Sequence, residues 1–323
     1  MKIVFMGTPE FAVSCLNRIV HDGHDVVLAV TQSDKPKGRG YTLTPPPVKV
    51  CALTHNIEVY QPFVLKNNKE ALEKINQCHA DVVIVVAYGQ ILPPEILELP
   101  KHGCINVHAS LLPKYRGAAP IQWAIINGEK HTGVTTMLMD AGLDTGDMLL
   151  KRSVEITLDM TAGELHDLLA REGADVLSDT LRLMKSGRLN PVKQDDSLSS
   201  YAPMLSRELS PIDFNKPAIS VHNLIRGLNP WPSAYTKVGG KKLKVHSSQP
   251  INGNQSPPGT VISTSPLTIA CGGNTAIELI EVQLEGAKRM ASEVYLRGHP
   301  LDIGRVLPET ILFLGADGET ADE

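Results

Sequence analysis

Asn106 and His108 stand two residues apart in "CINVHASLLPKYRG" (104–117), where an apolar run gives way to a turn. In a strand, residues two apart share a face, so this amide and imidazole point together while Val107 points away. Side by side they can hydrogen-bond and protonate one developing oxyanion, which is what acyl-group transfer requires. A third group must set the charge on the imidazole or shuttle a proton. The Gly-rich loop "MDAGLDTGDM" (139–148) supplies Asp140, Asp144 and Asp147 for that purpose. The competing reading is structural, because Asn and His at a strand end also cap loop backbone. The other histidines make poor metal ligands. His21 and His24 bracket Gly23 at a helix end, where imidazoles suit the carbonyl dipole. His102, His166 and His222 have no ligand neighbours in sequence, and no metal is expected.

The elements that must position the pair alternate. Apolar runs at 2–6, 25–31, 57–60, 80–87 and 104–108 read as strands, separated by helical patterns at 10–21, 48–55, 69–77 and 93–98. Runs that are apolar throughout fit strands covered on both faces. The alternation predicts right-handed crossovers and an α/β, Rossmann-like, doubly wound, mostly parallel sheet. In such a sheet ligands bind beyond the carboxyl ends of the strands, where Asn106 and His108 lie. Strands at 132–139 and 147–156 follow, then a long helix over about 161–186, with Thr161 as N-cap and Glu164 at the capping-box position. The first turn, "FMGTPEFA", has one glycine where a dinucleotide fingerprint needs three, which argues against NAD. Thr8 and Pro9 read instead as N-cap and first helical residue.

The texture changes after Gly187. Residues 1–187 read as a catalytic domain and 188–206, polar and rich in Pro, as a linker. Residues 207–310 open with a helix at 218–228. Short β-prone pieces between Gly and Pro follow, as in a smaller antiparallel barrel. The tail 311–323 is acidic and expected to be frayed. With 323 residues, two domains are the starting expectation. The net charge of −4 hides a contrast: residues 207–305 carry 11 basic against 7 acidic side chains, offset by the tail. A basic surface attracts phosphates. Five scattered cysteines fit neither a disulfide framework nor a paired-cysteine zinc site, and suggest a reducing cytoplasm. No apolar run approaches the roughly 18 residues of a membrane span, and the first residues are too short in apolar content for a signal peptide.

"INVHASLLPKYRGAAPIQWAIINGE" and "GLDTGDM" resemble the folate-dependent formyltransferases. The likeness extends through "IVFMGTPEFA", "TQSDKPKGRG", "PPPVK", "VIVVAYGQILP", "NPWPSAYT" and "GAKRMASEVYLRG", covering nearly everything except the tail. It implies the formyltransferase fold with an OB-like C-terminal barrel. It also implies transfer of a formyl group from the co-substrate 10-formyltetrahydrofolate to the amino group of methionine on initiator tRNA, giving N-formylmethionyl-tRNA for translation initiation. Carried onto this chain, the family's catalytic trio is Asn106, His108 and Asp144. Ser110, Leu111, Leu112 and Pro113 correspond to its folate-contacting segment. "AYGQILP" (87–93), with Tyr88, Gly89, Gln90 and Ile91, is expected to line the pterin pocket with backbone groups, although Pro93 and Pro94 equally suit a turn that starts a helix. The loop "QSDKPKGRGYTLTPPP" (32–47) exceeds the usual connection of about two to six residues. In the resembling family it wedges into the tRNA acceptor stem, which assigns Lys35, Lys37 and above all Arg39 to tRNA. Lys241, Lys242 and Lys244, with Lys237, Lys288 and Arg289, are expected to track tRNA phosphates, a solvated edge being the plain alternative. The chain is expected to act as a cytoplasmic monomer. The rivals are a formyltransferase acting on glycinamide ribonucleotide or an amino sugar, and a non-catalytic folate- or RNA-binding module.

Overall fold

Every side chain of Val82–Val86 is buried, as a strand covered on both faces demands. The computed structural model describes residues 1–37 and 41–308. They fall into two units, Met1–Ile125 with Glu129–Leu205, and Ile126–Gly128 with the chain from Ser206 onward.

The first unit is built on seven strands: β1 (Lys2–Gly7), β2 (Asp25–Val30), β3 (Val59–Tyr60), β4 (Val82–Val86), β5 (Cys104–His108), β6 (His131–Leu138) and β7 (Met148–Glu155). Their order is β7-β6-β5-β4-β1-β2-β3. The five strands from β5 to β3 run parallel, and β6 and β7 add antiparallel. Period-two alternation sorts the core into two layers. Ile3, Phe5, Val82, Ile84, Ile105 and Val107 face helices α1 (Glu10–His21) and α2 (Ala162–Lys185). Val4, Met6, Val83, Val85 and Cys104 pack on the other face with Leu65, Ile75 and Ile96. Asn106 and His108 continue the row of Cys104, so they leave the sheet on that second face.

The open edge strand β7 alternates half-buried and exposed positions from Leu150 onward and presents Lys151 and Arg152. Arg152 pairs with Glu172 and Asp179 of α2, and the Lys151 ammonium donates to the Leu112 carbonyl.

Local expectations met different fates. The capping box at α2 forms in full: Thr161 Oγ1 accepts from Glu164 N at 3.2 Å, and Thr161 N donates to Glu164 Oε2 at 2.8 Å. Thr8 is not a cap, since Pro9 holds that position at α1. Its hydroxyl instead donates to Tyr88 O at 2.8 Å and accepts from Gln32 N at 3.3 Å, joining two strand-end loops. The long loop after β2 contains an antiparallel pair, Lys35–Lys37 with Thr42–Thr44, around the undescribed 38–40. The polar segment 188–206, read from sequence as a linker, clusters with the first unit as far as Leu205, and its Tyr201–Ala202 runs parallel to Arg116–Gly117.

In the second unit a helix, α3 (Ala218–Gly227), packs on an antiparallel sheet of β8 (Ala234–Val238), β9 (Lys241–Asn252), β10 (Val261–Thr264), β11 (Leu267–Cys271) and β12 (Thr275–Leu284), ordered β8-β9-β12-β11-β10. A short strand, Met290–Ala291, pairs with β12. Register shifts within Val245–Ser248 let the long β9 bend as it passes β12. The acidic tail lies outside the described residues. Thr161→Ala should cost the first unit about 1 kcal/mol by removing one half of the capping box. A lowered thermal midpoint with native activity at 25 °C is the expected outcome; an unchanged midpoint would show that α2 does not depend on its cap.

Candidate active site

At the end of β5 the side chains of Asn106 and His108 meet Asp144, although 38 and 36 residues separate them in sequence. Asn106 Nδ2 donates to Asp144 Oδ1 at 3.3 Å. His108 Nδ1 stands 3.6 Å from Asp144 Oδ2. That oxygen also accepts from Gly117 N at 2.9 Å, so a backbone donor and two side chains hold the carboxylate. The opposite ring nitrogen, His108 Nε2, lies 2.9 Å from Tyr115 O. A carbonyl only accepts, so the proton there belongs to Nε2, and Nδ1 is the nitrogen that faces the carboxylate. His108 and Asp144 are nearly buried, with side chains 7% and 12% exposed. The ring is therefore ordered from both sides before any ligand arrives. Cys104, four residues away on the same strand, takes no part as a nucleophile, because burial pushes its thiol up to about 12.

The turn after β5 packs on β6. Ser110 Oγ donates to Lys114 O at 2.7 Å, and Thr135 Oγ1 both donates to Ser110 O at 2.7 Å and accepts from Leu112 N at 3.1 Å. Ser110 and Leu112 are buried, Leu112 against Met137 and Met148. Neither side chain faces a ligand; what the turn can present is Leu111, Pro113 and its backbone. Gly133 permits this packing, since a Cβ there would come within 2.6 Å of Leu111 Cδ2 and 2.1 Å of Arg152 O.

A groove of about 600 Å³ opens at the carboxyl end of β4, lined by Gln90, Ile91 and Leu92, with Gln32, Phe63 and Ala141. Ala141 belongs to the same loop as Asp144. Phe63 and Ile91 are 91% and 85% exposed, an apolar lip of the kind that receives a flat ring. Gln90 is fixed by Leu65 N on its oxygen at 2.9 Å and by its own donation to Phe63 O at 3.3 Å. Gln32 Nε2 is buried without a partner and offers a donor at the wall. Gly89 holds φ +90°, which only glycine adopts freely. Tyr88 does not line the groove: it is a core side chain at 2% exposure, and burial pushes its phenol up to about 12. Pro93 caps a short helix, Pro94–Leu97, so "AYGQILP" both lines the groove and starts a helix. Periodicity could not have revealed Phe63, Gln32 or Ala141, which reach the groove from three separate loops.

Of the residues assigned to tRNA, Lys35 is exposed on the first unit's hairpin, Lys37 belongs to its strand, and Arg39 lies outside the described residues. In the second unit Lys241 and Lys242 are exposed and Lys244 is half-buried. Lys242 sits directly across from Lys237, and Lys244 from Tyr235. The Lys242 ammonium lies 4.6 Å above the Tyr235 ring, and a cavity of about 240 Å³ beside it is lined by Lys242, Lys244, Gln283 and Glu285. Like charges facing across a strand pair repel, as Lys237 and Lys242 do here, with Glu285 the carboxylate in the cavity wall. Among the described residues no cluster of His, Cys, Asp and Glu could hold a metal, and no helix is long and apolar enough to cross a membrane.

Residues 1–181 match the family described as formyl transferase, and residues 204–300 the formyl transferase C-terminal domain. The methionyl-tRNA formyltransferase of Caldanaerobacter subterraneus subsp. tengcongensis is 54% identical over 310 residues, 95% of this chain and all of that one. The methionyl-tRNA formyltransferase of Clostridium novyi is likewise 54% identical, over 311 residues, with 95% and 100% coverage. Among solved structures, the N-formyltransferase of Helicobacter canadensis, in complex with folinic acid and dTDP-3-aminofucose, superposes with a TM-score of 0.65 at 19% identity, covering 86% of this chain and 98% of that one. HypX of Aquifex aeolicus, in complex with tetrahydrofolic acid, gives 0.62 at 16% identity, over 92% of this chain and 47% of that one. Those two likenesses concern the fold; the two family matches and the near full-length relatives establish that the chain belongs to the formyl transferase family.

Proposed function

We propose that the chain moves the formyl group of 10-formyltetrahydrofolate to the α-amino group of methionine esterified on initiator tRNA, releasing tetrahydrofolate and N-formylmethionyl-tRNA in the cytoplasm. The observation that carries the reading is the convergence of Asn106, His108 and Asp144 beside an apolar-lipped groove. The groove suits a folate: Phe63 and Ile91 can sandwich a flat heterocycle, and Gln32 Nε2 and the backbone around Gln90 offer polar contacts at its rim. The relatives' names support methionyl-tRNA as the acceptor, and the match over 204–300 accounts for the second unit.

The roles follow from the bonds each group can make. The neutral amine attacks the formyl carbon, a C–N bond forms, and the carbonyl electrons move onto oxygen. The Asn106 amide, which keeps a second N–H beyond the one given to Asp144, stabilises that oxyanion, with the Nδ1 side of His108 next to it across the Asp144 carboxylate. His108 keeps its orientation because Nε2 is committed to Tyr115 O. Asp144, through a water, passes the proton of the attacking amine to the folate nitrogen as the old C–N bond breaks. Leu111, Pro113 and the backbone of the turn border the site from the side of β6. Catalysis is assigned to residues 1–187 and phosphate contacts to 207–310, with Lys241, Lys242 and Lys244 on the basic face and Lys35, Lys37 and Arg39 on the long loop. The enzyme works as a monomer in this scheme.

Formyl transfer to methionyl-tRNA, assayed against deacylated tRNA, a nucleotide-linked amino sugar and glycinamide ribonucleotide, tests the acceptor; product on either small acceptor alone would replace the tRNA reading. Asn106→Ala, His108→Ala and Asp144→Ala should each lower kcat by about 10²–10³-fold with little change in folate affinity. Near-native turnover in any one of them removes that residue from the mechanism. Replacing Lys241, Lys242 and Lys244 together by Ala should weaken tRNA binding at low salt. It should also flatten the plot of log affinity against log salt by about 0.7–0.9 for each phosphate that is no longer neutralised. A slope equal to wild type would show that these lysines face solvent only.

A further inference from the structure

The segment 188–205 forms a strap whose polar side chains reach into the site. Gln194, 6% exposed, is its most deeply buried polar side chain. Its Nε2 donates to Asp144 O and to Gly146 O, both at 2.8 Å. Its Oε1 accepts from Arg116 Nε at 3.0 Å and Nη2 at 2.8 Å. A carboxamide has two N–H donors and two acceptor positions, and here all four are used. The orientation is dictated too, because a flipped amide would set its N–H groups against the guanidinium and its oxygen against two carbonyls.

These bonds complete a ring around the carboxylate. Arg116 holds Gln194, Gln194 holds the backbone of Asp144, and the Asp144 carboxylate returns to the N–H of Gly117, the neighbour of Arg116. Asp144 is a non-glycine residue at φ +55°, a left-handed conformation that persists only where surroundings impose it. The loop around it is exposed from Asp140 to Leu143, and the contact from Asp140 Oδ1 to Gly142 N and Thr145 Oγ1 lies within the loop itself. Gln194 is the side chain from outside the loop that grips it at both Asp144 and Gly146. The strap holds the facing segment as well: Ser200 Oγ accepts from Tyr115 N at 2.9 Å, and Arg116 Nη2 reaches Asp196 Oδ1 at 2.7 Å. Gly117 allows the close approach, since a Cβ there would come within 2.6 Å of the Tyr201 ring and 2.8 Å of Ala202 O.

We propose that Gln194 is a positioning residue for formyl transfer: by bridging Arg116 to the carbonyls of Asp144 and Gly146, it sets the Asp144 carboxylate against Asn106 and His108. The inference rests on the role given to Asp144 above. It makes the segment between the two assigned domains a working part of the site.

Gln194→Glu is the discriminating variant. It keeps an oxygen for Arg116 but replaces the donor to both carbonyls with an acceptor. The expected result is a fall in kcat of about 10–100-fold, the range seen when a partner that orients a reacting group is removed, with KM for 10-formyltetrahydrofolate and methionyl-tRNA within about threefold of wild type. Gln194→Met, similar in length and uncharged, should behave alike and covers the case in which the glutamate variant fails to fold. A cycle with Asp144→Ala separates positioning from general packing. If Gln194 acts through Asp144, then Gln194→Met costs no further activity once Asp144 is Ala. The same fold-loss in both backgrounds would overturn the proposal, as would wild-type kcat in Gln194→Met. A rise in KM matching the fall in kcat would also overturn it. Should Asp144→Ala itself retain full turnover, the proposed mechanism fails first, and that outcome is distinguishable from failure of the strap alone.

Discussion

One nearly buried carboxylate organises this site. Asp144 cannot lose its water without donors to replace it. The Asn106 amide from β5 and the Gly117 backbone N–H from the segment after it supply them, with the His108 ring lying alongside. The Asp144 backbone is placed at the cost of a left-handed φ, a strain on the order of 1 kcal/mol that only a well-braced loop sustains. The same demand explains why the chain brings β5, the turn before α-helical residues 120–126 and the loop after β6 to one point. Removing any of the three segments would leave a polar group without its partner.

The parallel sheet makes such convergence possible. Two independent apolar layers fix β5 from both sides, so the row carrying Cys104, Asn106 and His108 is set by packing several residues before chemistry begins. The antiparallel β6 then buttresses the turn: Thr135, fully buried, commits its hydroxyl to Ser110 O and Leu112 N. Rigid support of this kind lets catalytic side chains meet substrate with little reorganisation.

What could be read from the residues alone tracks what is periodic or local. Period two places Asn106 and His108 on one face, and the spacing of Thr161 and Glu164 announces a capping box; both are present in the structure. The unbroken apolar runs foretell the two-sided sheet. Contacts between distant loops carry no such signal. Gln194 sits in a polar, Pro-containing stretch that looks like tether, and its hydrogen bonds span 48 to 78 residues of sequence. Thr8 looked like a cap because its type and position suit one, yet a tertiary partner at Tyr88 won. Ser110, Leu112 and Tyr88 belong to motifs that mark the site, but their own side chains are turned inward; the motif marks a backbone path, and burial decides which atoms a ligand can reach.

The two ends of the main sheet differ, and the difference bears on how the protein keeps to itself at high concentration. At one end β3 is two residues long, too short to template another strand. At the other, β7 is long enough to recruit one, but it carries Lys151 and Arg152, one on each face, and is partly covered where Met148 bridges to Val192. An incoming strand would have to bury charge or displace that bridge. The fold thus guards the very apolar sheet that aligns its reactive groups against growth into an aggregate.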